Sequence, residues 1–293
     1  MRLTTCLVVA ISTGSTNAYW KGFNAQANKV DGSCKTQADW TSDFNILKSF
    51  PGNFNSIRLY ASSDCNTLAN AVPAAIATGI KVLAGVWTQN ENHFEAEKQE
   101  LLTAVQKYGF DWIAAVSVGS EDLYRAETTP NRLAEQIYDV RGMLSTVPGY
   151  SSNIQVGHVD TWTAWVNNVN IPVIKACDFI GTDGYPYFQT NDTNSVQNGN
   201  KLFQESLDAV RNSVAAVGSG AWVWVTESGW PTTGNTLNQA VPSIENAQLY
   251  WKTVACPLFS SAHTFWYSLQ DVGASPSFGV LDANGKPQYD LSC

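Results

Sequence analysis

The chain has 293 residues, a length that one α/β barrel domain commonly fills. Hydrophobic residues make up 44% and charged residues 14%, so the chain can bury a large core and is not intrinsically disordered. The net charge of −8 disfavours binding to nucleic acid, and the scarcity of lysine clusters disfavours binding to anionic membranes. A neutral substrate fits this charge. The 11 tryptophans suit either an aromatic core or a sugar site, and composition does not decide between them.

The N-terminus predicts a secretory signal peptide over residues 1–18. Arg2 supplies the short positive segment, residues 3–11 are apolar but too short to span a bilayer, and small residues follow up to Ala18. A first strand or helix is the alternative. We therefore expect a protein secreted to the extracellular space or the cell wall, with a single domain over residues 19–293.

Eight strand-like runs alternate with segments of helical periodicity. The expected strands cover residues 20–25, 56–60, 81–87, 113–119, 154–160, 178–183, 221–227 and 262–268. Thr36, Thr129 and Ser243 are expected to cap helices, and Gly218 to end a long one. Pro73 predicts a kinked or split helix in its segment.

Several of these strands are apolar on both faces, as expected for a parallel sheet covered by helices. The alternation predicts a single-domain (β/α)8 TIM barrel. A doubly wound open sheet is the alternative, but the glycine-rich turn usual after its first strand is missing from the sequence.

Two of the expected strands run directly into a carboxylate, at Glu121 after strand four and at Glu227 after strand seven. Barrel active sites lie at these carboxyl ends. A helix-capping or loop role is the common alternative for one such acid. Two together suit glycoside cleavage, in which one carboxyl group donates a proton while the other, ionised, attacks or stabilises the anomeric carbon.

The segments around these acids resemble the fungal branch of glycoside hydrolase family 17. Ser117–Glu121 and the sequence VTESGWP at residues 225–231 carry the resemblance, with Arg58-Leu59-Tyr60, Tyr185-Pro186-Tyr187-Phe188 and Phe265-Trp266-Tyr267 as further motifs. The resemblance covers nearly all of the chain from Lys21 onward. VTESGWP is the most specific of these motifs.

The resemblance implies a retaining enzyme that acts on β-1,3-glucan and its oligosaccharides, with Glu121 as acid/base and Glu227 as nucleophile. Ser120 stands where many members of the larger clan have an asparagine that holds the sugar 2-hydroxyl. Fungal members include cell-wall glucanosyltransferases, so we expect glucan transfer as well as hydrolysis. The alternatives are a plain endo-β-1,3-glucanase, a non-catalytic carbohydrate-binding wall protein, and a barrel enzyme for phosphorylated metabolites.

Other strand-end residues are candidates for substrate binding. Tyr60 and Tyr185 are expected near Glu227, where a phenol can orient it. Each candidate tryptophan can equally belong to the core. Trp87, Trp230 and Trp266 are possible sugar platforms, Trp162 and Trp165 possible walls of acceptor subsites, and Asp64, Asp122 and Asp183 possible ligands of sugar hydroxyls.

The cysteine and histidine spacings match no metal motif, and no cofactor signature is present in the sequence, so we expect neither. We predict disulfides Cys256–Cys293, which would pin the C-terminal tail across the last helix, and Cys34–Cys65, which would tie the loops after strands one and two. Cys177 would then be buried and free. Asn191 begins a glycosylation sequon. We expect a monomer.

Overall fold

The structure, a computed structural model, describes residues 19–271 and 273–293. Within that part of the chain, eight parallel strands pair in sequence order, and β8 returns to pair with β1, which closes the barrel. The strands are β1 Lys21–Asn24, β2 Ser56–Arg58, β3 Lys81–Val86, β4 Ile113–Ser120, β5 Val156–Thr161, β6 Phe179–Asp183, β7 Trp222–Glu227 and β8 Thr264–Trp266. The predicted TIM barrel is confirmed.

The connections between the strands carry the helices that cover the barrel. They are α1 Gln37–Ser49, α2 Thr67–Thr78, α3 Glu91–Tyr108, α4 Pro130–Ser145, α5 Trp162–Trp165, α6 Ile171–Ala176, α7 Val196–Ala216, α8 Ile244–Tyr250 and α9 Cys256–Leu258, with a π-helical turn Trp251–Ala255 before α9. Among the described residues, no helix is both long and apolar enough to cross a membrane.

The predicted helix ends follow from local chemistry. Thr36, Thr129 and Ser243 each accept a backbone N–H with the side-chain oxygen, as expected at an N-cap, and α7 ends just before Gly218. Of the kinked or split helix expected at Pro73, the split is wrong, because α2 runs through Pro73 as one helix. The expected signal peptide lies outside the described residues.

The core has two layers. Leu83, Ala115, Val159, Phe179, Trp224 and Phe265 fill the barrel interior. A larger cluster lies between the strands and the surrounding helices. Because successive strand residues face opposite sides, neighbours such as Phe265 and Trp266 enter different layers.

Both predicted disulfides are present, Cys34–Cys65 and Cys256–Cys293. Cys177 is buried and, among the described residues, unpaired. The first bridge joins the segments that follow β1 and β2, and the second fixes the C-terminus to α9. Two bridges suit an oxidising compartment.

Candidate active site

The carboxyl ends of β4, β6 and β7 bring three acids together. One carboxylate oxygen from each of Glu121, Asp183 and Glu227 lies within 4.8 Å of the other two. Glu121 follows the last residue of β4, whereas Asp183 and Glu227 end β6 and β7. The parallel barrel thus gathers at one rim residues from a stretch of more than 100 positions of the sequence.

Three donors hold the Glu227 carboxylate. Arg58 Nη1 donates to Oε1 at 2.5 Å, Tyr60 Oη donates to the same oxygen at 2.9 Å, and Tyr185 Oη donates to Oε2 at 2.7 Å. Burial, reinforced by the charge of Glu227, raises the pKa of both tyrosines well above the usual value, so both phenols keep their protons and donate. The three donors direct an arginine charge and two phenol O–H groups at the carboxylate, and they fix both of its oxygens in direction.

Arg58 is the buried centre of this arrangement, with 1% of its side chain exposed. Its Nη1 also donates to Asn24 Oδ1 at 2.9 Å, and its Nη2 donates to Ser120 Oγ at 2.9 Å. Burial opposes its charge, but the Glu227 carboxylate outweighs this effect and raises its pKa. Asn24 Nδ2 in turn donates to the carbonyls of Thr226 and Phe265, which ties Arg58 to the neighbouring strands.

An unusual backbone turn presents Glu121. Gly119 has φ +78°, and a Cβ there would lie 2.2 Å from the Asp122 carboxylate, so only glycine fits. Asp122 accepts the Ser120 N–H at 2.7 Å. Glu121 itself has φ +59°, a left-handed conformation that long side chains seldom adopt, and its N–H donates to Val159 O at 2.9 Å. The turn directs the Glu121 side chain into the cleft.

The Glu121 carboxyl is partly buried, with 18% of its side chain exposed. Burial, and then the negative charge of Glu227, raise its pKa to about 7. Its oxygen Oε2 accepts a hydrogen bond from Arg125 Nη2 at 2.5 Å. A carboxyl group with this pKa can donate a proton near neutral pH and take one back later.

Asp183 is a third carboxyl group beneath the cleft, only 1% exposed. Its Oδ1 accepts from Thr226 Oγ1 at 2.8 Å, and its Oδ2 has no partner among the described residues. Burial and the charge of Glu227 raise its pKa well above the usual value. The surroundings of Asp183 therefore favour its protonated form over its carboxylate.

A hydrogen-bond network lies under Glu121. His158 contacts Val118 O through Nδ1 at 2.6 Å and Asp160 Oδ2 through Nε2 at 3.0 Å, and both residues are buried. Burial opposes the imidazolium, but the hydrogen bond to Asp160 and its charge outweigh this effect and raise the pKa of His158. Asp160 also accepts the Leu123 N–H at 2.9 Å, which fixes the loop that carries Glu121.

Two adjoining cavities open over the acids. The first, of about 500 Å³, is lined by both glutamates, Ser120, both tyrosines and Trp87. The second, of about 630 Å³, is lined by Glu121, Trp162 and Asp183 and extends to the loop that carries Asn191. The two cavities share Glu121, Tyr185 and Phe188 in their linings, and the exposed sequon residue Asn191 lines the second.

Three of the tryptophans proposed as substrate contacts are core residues instead. The expectation is wrong for Trp165, Trp230 and Trp266, whose exposed fractions are 0%, 1% and 1%. Trp165 and Trp230 donate their indole N–H to Gly181 O and Val241 O, at 2.8 and 3.0 Å. No ring face of these three is open to a sugar, whereas Trp162 and Trp87 do line the cavities.

Tyr267 occupies the position expected of Trp266. It lines the first cavity, while Trp266 points outward and packs against Tyr250 and Trp251 at ring distances of 5.6 and 5.5 Å. Strand alternation contained this signal, because Phe265 and Tyr267 share the inner face.

Arg58 and Arg125 were also missed as site residues. A charged residue in the apolar run of β2 was the available signal for Arg58.

Two acidic groups have the composition of cation sites. In Glu121, Asp183 and Glu227, two carboxylates are already paired with arginines. The other group is Asp64, His93 and Glu97. There the buried Glu97 accepts hydrogen bonds from the N–H groups of Ser62, Ser63 and Trp87 and from the Ser63 hydroxyl, which makes it a clamp for the loops after β2 and β3.

The chain is similar to fungal glucan-degrading enzymes. Residues 22–277 match the family model described as the BtgE/BtgC glycoside hydrolase domain. The chain is 40% identical to the probable glucan endo-1,3-beta-glucosidase eglC of Aspergillus oryzae, over all of this chain and 67% of that protein. It is 32% identical to the glucan 1,3-beta-glucosidase of Schizosaccharomyces pombe, over 90% of this chain and 84% of that one.

A solved structure with a similar fold is the glycoside hydrolase family 17 beta-1,3-glucanosyltransferase of Rhizomucor miehei. The TM-score is 0.78 at 25% identity, with 93% of this chain and 98% of that chain covered. An active-site mutant of the same protein has been solved in complex with laminaritriose, with the same TM-score and coverage.

Proposed function

The chain belongs to the BtgE/BtgC glycoside hydrolases, in the fungal branch of glycoside hydrolase family 17, and we propose that it cleaves and rejoins β-1,3-glucan with retention of configuration. The observation that supports retention is that Glu121 and Glu227 share one cleft, with a carboxylate oxygen of each within 4.8 Å of the other. Retaining enzymes hold their carboxyl groups about 5–5.5 Å apart, whereas inverting enzymes leave about 6.5–9.5 Å for a water molecule.

In the first step, Glu227 acts as nucleophile. One of its oxygens bonds to the anomeric carbon while the glycosidic C–O bond breaks, and the Glu121 proton passes to the leaving oxygen. The donors on Glu227 support this assignment, since a buried arginine and two tyrosines hold both of its oxygens in a fixed direction. The pKa of Glu121, raised to about 7, supports its role as the acid.

In the second step, a hydroxyl oxygen attacks the anomeric carbon, the ester bond to Glu227 breaks, and Glu121 takes the hydroxyl proton. Esterification removes the Glu227 charge that raised the pKa of Glu121, so Glu121 becomes ionised and ready to act as a base. Water as the attacking group gives hydrolysis, and a sugar hydroxyl gives transfer.

Transfer requires a site in which an acceptor sugar outcompetes water. The second cavity offers one beside Glu121, with Trp162 as a partly open aromatic wall. The alternative is an endo-β-1,3-glucanase with the same acids, favoured by the name of the Aspergillus relatives. Secretion is part of the proposal and is supported by the two disulfides.

The test is to incubate a β-1,3-linked oligosaccharide at millimolar concentration and follow the products by mass spectrometry. Products longer than the starting chain are expected, and NMR of the first products should show the β-anomer. If only shorter products appear at every substrate concentration, the transfer activity is refuted and the hydrolase activity stands. Initial release of the α-anomer would refute retention.

A matched pair of variants locates the acceptor site. Trp162→Ala should lower the ratio of transfer to hydrolysis several-fold, because the apolar face of the acceptor sugar can no longer stack on the indole ring. Trp222→Ala is the control, since Trp222 is 58% exposed and lies at the opposite end of β7 from Glu227. Equal effects of the two changes would remove Trp162 from the acceptor site.

A further inference from the structure

Arg125 has no part in the two steps described so far, although it contacts one of the acting groups. It lies four residues after Glu121, on the loop between β4 and α4, and its Nη2 donates to Glu121 Oε2 at 2.5 Å. It lines the first cavity, and 44% of its side chain is exposed. Its partner has to change charge twice in every catalytic cycle.

The charged groups that face Glu121 come from four strands and from its own loop. They are Glu227 on β7, Asp183 on β6, Asp160 on β5, Arg58 on β2 and Arg125. Arg58 is hydrogen-bonded to Glu227, and Asp160 to His158. Among the described residues, Arg125 is therefore the cation in direct contact with Glu121.

The proposed reaction moves a negative charge from one arginine to the other. Before the first step the charge is on Glu227, beside Arg58. After that step Glu227 is esterified, Glu121 has lost its proton, and the charge lies beside Arg125. A partly buried carboxylate near the buried Asp160 needs such a partner, because removing it from water without compensation is costly.

We propose that Arg125 is a positioning residue that acts as the counter-ion of Glu121 while Glu121 is a carboxylate, from proton donation until the acceptor proton arrives. This inference rests on the proposed function. Arg125 would keep the base ionised and oriented while the leaving glucan is exchanged for an acceptor.

The role predicts a specific change in pH dependence. Arg125 opposes the burial and the Glu227 charge that raise the pKa of Glu121. Without it, Glu121 should ionise at higher pH in both the free enzyme and the glycosyl-enzyme. The alkaline limb of kcat/KM reports the pKa of Glu121 in the free enzyme, where Glu121 must be protonated to act as the acid. The acid limb of kcat, with an aryl glycoside whose deglycosylation is rate-limiting, reports the base form. Both limbs should move to higher pH.

The experiment compares Arg125→Gln with Arg125→Lys, and uses Arg132→Gln as control. Arg132 is an exposed arginine on α4 that pairs with Glu91 and Glu135. Arg125→Gln should raise both limbs by about half a pH unit, the size suited to a partly exposed ion pair, and lysine should restore most of the shift. Added salt should move the acid limb of kcat upward in the wild type and less in Arg125→Gln, because salt screens the pair and Glu227 carries no charge in the glycosyl-enzyme.

If Arg125→Gln lowers the rates but leaves both pH limbs unmoved, Arg125 is merely structural and the inference is overturned. An Arg125→Gln variant with unchanged rates and unchanged limbs would also overturn it. An equal shift in Arg132→Gln would show a general effect of charge instead. Failure of the proposed function looks different, since the wild type would then not act on β-1,3-glucan at all.

Discussion

Glu227 and Glu121 lie within 4.8 Å of each other, yet their surroundings differ. Glu227 is hydrogen-bonded to a buried arginine and to two tyrosines whose raised pKa keeps them as donors. In the part of the chain that the structure describes, the charged group hydrogen-bonded to Glu121 is Arg125, which is 44% exposed. The first environment holds one charge state, whereas the second allows a proton to leave and return. A nucleophile needs the first and an acid/base needs the second.

The strongest test of this contrast is Glu227→Gln. We expect activity on glucan to fall at least about a thousandfold, since an amide oxygen does not form the covalent intermediate. Glutamine still accepts a hydrogen bond from Arg58, so folding should survive, as thermal unfolding would check. Glu127→Gln is the control, because Glu127 is exposed and accepts from Gln89. Activity within tenfold of the wild type would reject Glu227 as nucleophile.

Glu121→Ala should have a more selective effect. We expect a loss of about 10²–10⁴-fold on natural glucan, but much less on aryl glycosides with good leaving groups, which need little proton donation. Azide should then restore turnover, because it attacks without needing a base. The azide product should have the β configuration. An α-azide would mean that the two glutamates have exchanged roles.

The two arginines allow the contrast to be tested in stability. Arg58→Met should lower the free energy of unfolding by about 3–5 kcal/mol, because it leaves Glu227 buried without its cation. Arg125→Met should cost less than about 1 kcal/mol, because its ion pair is partly exposed. Urea denaturation of both variants at neutral pH measures this. Similar losses would mean that the difference in burial has no energetic consequence.

The smallest expected effect concerns the coupling between the acids. The Glu227 charge is the second cause of the raised pKa of Glu121, after burial. In Glu227→Gln, the pKa of Glu121 should fall from about 7 but stay above the ordinary value for a glutamate, since burial remains. A carbon-13 NMR titration of labelled glutamate would follow it directly. An unchanged value would show that burial alone sets this pKa.

The sequence determined the barrel and the identity of its two acids. Alternation of apolar strands with amphipathic helices is a local property, and so are the caps at Thr36 and Thr129 and the carboxylates that follow strands four and seven. The motifs around Glu121 and Glu227 then identified the family. These features depend on residues that are close together in the chain, which is why sequence analysis found them.

Only the tertiary structure decided which aromatic and charged side chains accompany the acids. Chain position left Trp165 and Trp230 equally suited to the cleft or the core, and tertiary packing placed both in the core. For Trp266, strand alternation already favoured the outer face, and the structure shows it buried there. Arg58 and Glu227 are 169 positions apart, and their contact depends on the closure of the barrel. Burial and charge separation are properties of the folded surroundings, so the sequence suggested roles for Glu227 and Glu121 only by resemblance, and the different environments of the two carboxyl groups are visible only in the structure.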